Sequence, residues 1–249
     1  MLRHGPGTTH RVAHRGYAAA APENTLPAFE AAVRAGATIV EFDVRVTADG
    51  VPVVIHDRTV DRTTTGRGRI WDLRWDEIAE LDAGVRFSPA FAGVRVPSLA
   101  AVLDLLRDAP AELLVEIKSP ATLDEVKAVI AQLTEYDVLD RSVIQSFDPD
   151  VVRKAREVAP ELRRGLLLFR FDAETVSQAR ELGVVLCNPP VDDVLTGPGM
   201  VAELRDAGVG VMPWTANDRS QWGALLEAGA AGLITDYVGE LTGWTDLRR

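Results

Sequence analysis

The chain has 249 residues, 47% hydrophobic and 26% charged, a composition that excludes a disordered, fibrous or collagen-like protein. Its 27 basic residues stand against 37 acidic ones, a formal net charge of −10, which argues against a broad basic surface for nucleic acid or an anionic membrane. A single cysteine, Cys187, excludes an intramolecular disulfide and a cysteine zinc cage, and no apolar run is long enough to span a bilayer.

Residues 1–11 lack an apolar leader core and read as a flexible tail bearing His4 and His10, so a cytoplasmic protein without stable membrane insertion is expected. One domain follows over 12–249. Short runs rich in Val, Ile and Leu predict strands at 12–16, 38–44, 51–56, 113–118, 143–147, 165–169, 184–188, 209–214 and 232–235. Helical stretches are expected at 25–35, 99–108, 123–135, 149–158, 174–182, 199–207, 220–228 and 238–247, with Ser98 and Asp148 as caps and Gly36, Gly183, Gly208 and Gly229 at helix ends. This alternation predicts βα units around a parallel sheet.

Nine strands are one too many for an eight-fold barrel. No helix separates 38–44 from 51–56, and Asp49-Gly50 between them is a hairpin turn signal. The second arm therefore lies outside the wall, and eight βα units remain. The expected fold is an α/β (β/α)8 TIM barrel with a β-hairpin and a small insertion, about 57–97, after the second barrel strand. The insertion is rich in Thr, Arg, Gly and Trp with little apolar periodicity, and it serves either binding or mere cover of the barrel mouth.

Side chains two apart on a strand share a face, so Glu41 points with Asp43, and Glu116 with Lys118. All fall near the ends of strands, where barrel enzymes place their catalytic groups. Taken alone, the three acids with Lys118 and Arg15 fit either a buried ion-pair cluster or a cation site. Three carboxylates without cysteine form a hard donor set suited to Mg²⁺ or Ca²⁺. His14 closes the first strand and His56 the hairpin, and two histidines beside such a cluster offer a general acid and a general base. Glu23 and Asn24 read as helix-start residues, with Asn24 the N-cap. Cys187 reads as a core residue, and Trp71, Trp75, Trp222 and Trp244 as packing residues.

These residues fall into a wider pattern. His14-Arg15-Gly16, Pro22-Glu23-Asn24-Thr25, Glu41-x-Asp43, Thr47-x-Asp49-Gly50, Val53-Val54-x-His56-Asp57 and Glu116-Ile117-Lys118 resemble the glycerophosphodiester phosphodiesterase family. So do Gln145-Ser146-Phe147, Trp214-Thr215-x-Asn217 and Gly232-Leu233-Ile234-Thr235-Asp236, in the family's order. One departure is Val238, where many members have Pro.

The resemblance implies a metal-dependent barrel that hydrolyses small glycerophosphodiesters to glycerol 3-phosphate and an alcohol. It makes Glu41, Asp43 and Glu116 the ligands of one divalent cation, His14 and His56 the catalytic pair, and Arg15 and Lys118 phosphate-binding groups. The expected division of labour has His14 take a proton from the nucleophile, water or a glycerol hydroxyl, and His56 protonate the leaving alkoxide. Trp214, at the end of a strand, reads either as an apolar wall against substrate or as a core or lid-packing residue. Two other readings stand beside this one. A lysophospholipase D-like activity would need an apolar channel near the insertion, with Phe87, Phe91 and Trp75 as its lining; the other is a catalytically silent phosphodiester-binding barrel.

Overall fold

A computed structural model describes residues 9–248. The wall is parallel, built in chain order from β1 (His10–Ala13), β2 (Ile39–Val46), β4 (Glu112–Ile117), β5 (Ser142–Ser146), β6 (Arg163–Leu167), β7 (Leu186–Asn188), β8 (Gly210–Val211) and β9 (Gly232–Thr235). β3 (Pro52–Val54) pairs antiparallel with the far end of β2, Val44 opposite Val54, as the Asp49-Gly50 turn predicts. Gly50 has φ of 83°, the left-handed geometry that such a turn demands.

β9 pairs with β1, but β8, only two residues long, forms no ladder with β9. The circle is closed there by isolated bonds: Ala231 N–H to Val211 O at 2.8 Å, Ile234 N–H to Pro213 O at 3.1 Å and Ala216 N–H to Ile234 O at 2.7 Å.

Helices cover the outside. They are α1 (Leu26–Arg34), α3 (Leu99–Leu106), α4 (Leu123–Glu135), α5 (Pro149–Val158), α6 (Thr175–Leu182), α8 (Pro198–Asp206), α9 (Trp222–Glu227) and α10 (Val238–Asp246), with two short helices, α2 (Trp75–Ala79) and α7 (Val191–Thr196), that the sequence pattern did not signal. Ser98 and Asp148 cap α3 and α5 as expected, each accepting a backbone N–H.

Alternation along the strands separates two kinds of core. Phe42, Val44, Val115 and Ile117 face outward onto the helices. Val12, Ile39, Leu114, Val143, Leu186, Met212 and Ile234 meet inside the barrel. One strand step above this apolar floor stand His14, Glu41, Glu116, Gln145, Asn188, Trp214 and Asp236. The interior thus changes from oil to charge at the C-terminal mouth.

Two expectations need correction. His10 and Arg11 do not belong to a tail: β1 starts at His10, which is buried and pairs with Gly232. A Cβ on Gly232 would stand 2.5 Å from that of His10, so glycine is what lets the two strands approach. The rest of the expected tail, 1–8 with His4, lies outside the described residues.

The insertion is also more ordered than its composition suggests. Val53, Ile55, Val60, Ile70, Ile78, Ala83 and Val96 give the hairpin and insertion a small buried core of their own. No helix among the described residues is long and apolar enough to cross a membrane.

Candidate active site

β1 ends in a tight turn rather than continuing to Gly16. Arg15 has φ of 56° and Gly16 of 80°. A Cβ at Gly16 would lie 2.7 Å from the Ala28 backbone, so α1 can pack on this turn only against glycine. The left-handed Arg15 aims its own N–H at Glu41 Oε2, 2.8 Å away. Such a conformation is costly for a non-glycine residue and is held by the contacts around it.

Every expected site residue except Asp43 lines one small cleft of about 60 Å³ at the mouth: His14, Arg15, Glu41, His56, Glu116, Lys118 and Trp214. Asp43 lies at its edge, 1% exposed. Oxygens of Glu41, Asp43 and Glu116 all come within 4.8 Å of one another. Lys118 Nζ is 3.1 Å from Asp43 and 2.7 Å from Glu116, and Arg15 Nε is 3.4 Å from Asp43.

Each imidazole is oriented by its own carboxylate, His14 Nδ1 at 2.7 Å from Asp236 and His56 Nδ1 at 2.7 Å from Asp57. A carboxylate acceptor requires the proton on Nδ1, which leaves Nε2 for chemistry. Asp236 is held in turn by the Asn217 amide at 2.6 Å. Trp214 donates its Nε1–H to Asn188 O at 2.8 Å and meets Phe147 edge-on, while the largely exposed Phe169 stacks on Phe147 at 4.4 Å. This is an apolar face opposite the charged one.

The glycerophosphoryl diester phosphodiesterase family matches residues 14–240. The chain belongs to this family. A glycerophosphodiester phosphodiesterase of Caldanaerobacter subterraneus is similar at 37% identity over 227 residues, covering 90% of this chain and 93% of its relative. Among solved structures, an Oleispira antarctica phosphodiesterase in complex with the product sn-glycerol 3-phosphate superposes with a TM-score of 0.90 at 26% identity, over 95% of this chain and 96% of that one. A glycerophosphodiester phosphodiesterase from Agrobacterium tumefaciens gives 0.82 at 28% identity, over 95% and 100%.

The electrostatics of this family member's cleft favour a cation. Burial, then Asp43 and Glu116, push Glu41 well above the usual carboxylate range. Burial and Asp43 raise Glu116 to about 7. Burial also opposes charge on Asp43, but Lys118, Arg15 and His56 outweigh it and hold that carboxyl well below the usual range. Three buried acids with one resident anion and two held back by burial and by one another are a set that a divalent ion completes. Donor chemistry, burial and spacing therefore fit a hard divalent ion.

Several groups in the cleft have roles the sequence reading did not assign. Asn24 is not a cap. It sits at φ of 56° before the N-cap Thr25, and its amide donates to Asp43 Oδ2 at 2.8 Å while its carbonyl accepts the Asp43 N–H at 3.2 Å. Its partner is 19 residues away, so local spacing could not reveal the bond. Asp57 and Asp236 stood in the family motifs, yet their service to the histidines is visible only in space. Phe87, Phe91 and Trp75 do not line the cleft. Phe87 borders a separate cavity with Arg62 and Arg86, and Trp75 packs on the insertion core. The apolar channel expected from them is absent from this cleft.

Proposed function

We propose that the chain hydrolyses glycerophosphodiesters such as glycerophosphocholine or glycerophosphoethanolamine to sn-glycerol 3-phosphate and the alcohol. The observation that carries this reading is the meeting, in one cleft, of three buried carboxylates with two carboxylate-oriented histidines and the cations Arg15 and Lys118. Glu41, Asp43 and Glu116 would hold one Mg²⁺ or Ca²⁺, which when bound neutralises charge on the phosphoryl oxygens. Arg15 and Lys118 add donors to that phosphate, and Trp214 with Phe147 offers an apolar face to the glycerol or headgroup.

The histidines divide the proton work. Each imidazole keeps its Nε2 for proton transfer because Nδ1–H is bound by its own carboxylate, Asp236 for His14 and Asp57 for His56. His14 takes the proton of the attacking hydroxyl, that of water or of the neighbouring glycerol carbon, and His56 delivers one to the leaving alkoxide.

The test is release of sn-glycerol 3-phosphate from glycerophosphocholine with Mg²⁺ or Ca²⁺, with and without a chelator. Metal-dependent release is expected, and it is lost in Glu41→Ala and in His14→Ala. No such release from any glycerophosphodiester would overturn the reading. Near-full rate in either variant would overturn the roles given to those residues.

A further inference from the structure

The two histidine–carboxylate pairs are anchored differently. Asp236, behind His14, is held by a neutral amide on the barrel itself. Asp57, behind His56, is held by a guanidinium that belongs to the insertion. Arg62 Nε donates to Asp57 Oδ2 at 2.6 Å and Nη2 to Asp57 Oδ1 at 3.1 Å. The same guanidinium grips Glu23, Nη1 to Oε2 at 2.8 Å and Nη2 to Oε1 at 2.7 Å. Glu23 Oε1 in turn accepts from Arg15 Nη1 at 2.9 Å. One planar fork therefore bridges the carboxylate behind the histidine and the carboxylate behind the phosphate-binding arginine.

Arg62 is presented by a rigid turn. Val60 and Thr64, on either side of it, are fully buried. The Thr64 hydroxyl and N–H both return to Val60 O, at 2.7 and 3.1 Å. The Arg62 side chain is nevertheless 49% exposed, so it is not part of the insertion's apolar core. A half-exposed arginine between two carboxylates is ordinarily worth little to stability. Its geometric effect is larger: with Oδ1 and Oδ2 both engaged, Asp57 can meet the His56 Nδ1–H in one orientation only.

We propose that Arg62 is a positioning residue through which the insertion sets the His56–Asp57 pair and the Arg15–Glu23 pair together, so that the inserted segment completes the catalytic site. The His56 arm of this proposal rests on the acid–base role given above. Loss of a group that orients a catalytic or metal-bound side chain costs on the order of 10- to 100-fold.

The experiment is a double-mutant cycle on glycerophosphocholine hydrolysis with saturating Mg²⁺, using Arg62→Ala, His56→Ala and the pair. Arg62→Ala is expected to lower kcat about 10- to 100-fold, to raise KM through the released Arg15, and to recover in part with tens of millimolar guanidinium. In the His56→Ala background the same substitution should leave kcat nearly unchanged, because the group it positions is gone. Arg62→Lys, which keeps the charge but cannot bridge both carboxylates, should recover less than half of the lost rate on a logarithmic scale.

Wild-type kcat in Arg62→Ala would overturn the proposal. An equal loss of kcat in both backgrounds, without guanidinium rescue, would also overturn it, since that is the pattern of damage to the insertion's fold. Full activity of His56→Ala alone would instead remove the acid–base reading and the His56 arm with it, a failure seen in a different variant.

Discussion

Removal of the Asn24 side chain tests how the cleft tolerates a buried anion. The amide makes two buried hydrogen bonds to Asp43, one to its carboxylate at 2.8 Å and one from its backbone N–H at 3.2 Å. A bond to a charged group is worth about 1.5–3 kcal/mol and a neutral one about 1 kcal/mol. Asn24→Gly keeps the left-handed backbone and relieves about 1 kcal/mol of strain from the native Cβ at φ of 56°, so against roughly 3 kcal/mol of lost bonds and about 0.5 kcal/mol of chain entropy it should cost roughly 2.5 kcal/mol. Asn24→Ala loses the same bonds but keeps the strained Cβ, so it should cost more than the glycine variant, about 3 kcal/mol. Asn24→Asp keeps the shape but faces Asp43 with a second carboxylate, and should be the worst of the three near neutral pH. Urea unfolding of the metal-free proteins gives the order, and titration with Mn²⁺ or Ca²⁺ reports the ligand: weaker binding is expected once Asp43 is free to turn away. A glycine variant that unfolds at the wild-type urea concentration and binds metal equally well would refute the reasoning.

Other consequences are as direct. Glu116 titrates at about 7 in the metal-free fold against about 4.3 in an unfolded chain, so the fold binds that proton more tightly. Its contribution is therefore present below pH 4.3 and lost as pH rises toward and through 7. The metal-free Glu116→Gln variant should melt above wild type at pH 8 while no longer binding the ion, and a lower melting temperature there would contradict the sign. The division of proton work predicts that a nitrophenyl diester, whose leaving group needs no proton, is cleaved far better by His56→Ala than by His14→Ala, whereas the reverse ranking would exchange the two roles. Gly232→Ala drives a methyl to within 2.6 Å of the His10 carbonyl oxygen at the other end of the barrel. It should cost about 1–3 kcal/mol in a thermal melt with kcat per folded molecule unchanged, and an unaltered melt would show that β1 can shift freely.

The barrel was legible because its signal is repeated: apolar runs alternating with helical periods, and one Asp-Gly turn that removes β3 from the wall. The short helices α2 and α7 were not, since five or six residues make under two turns and show no period. Charged residues two apart near strand ends marked the acid cluster, and the motifs marked both histidines. What stayed hidden is pairing across the chain. Arg62 bonds Glu23 from 39 residues away and Asp236 bonds His14 from 222, distances over which neither spacing nor propensity speaks. Asn24 misled for a related reason: an asparagine before a helix suits a cap, and only the left-handed backbone sends its amide elsewhere.

The seam between β8 and β9 has a consequence for how the enzyme fails. His14 follows β1, Asp236 follows β9 and Asn217 follows β8, so this one triad straddles the joint of the wall that has no paired ladder. The acid cluster lies on β2 and β4, in the continuous part of the sheet, where ladder bonds run unbroken. Partial opening at the seam thus draws Asn217 away from Asp236, while His14 and Asp236 stay together on the β1–β9 ladder and the carboxylate cage stays assembled. On warming, the His14–Asp236 pair is expected to lose its Asn217 support before the ion is released or the barrel unfolds.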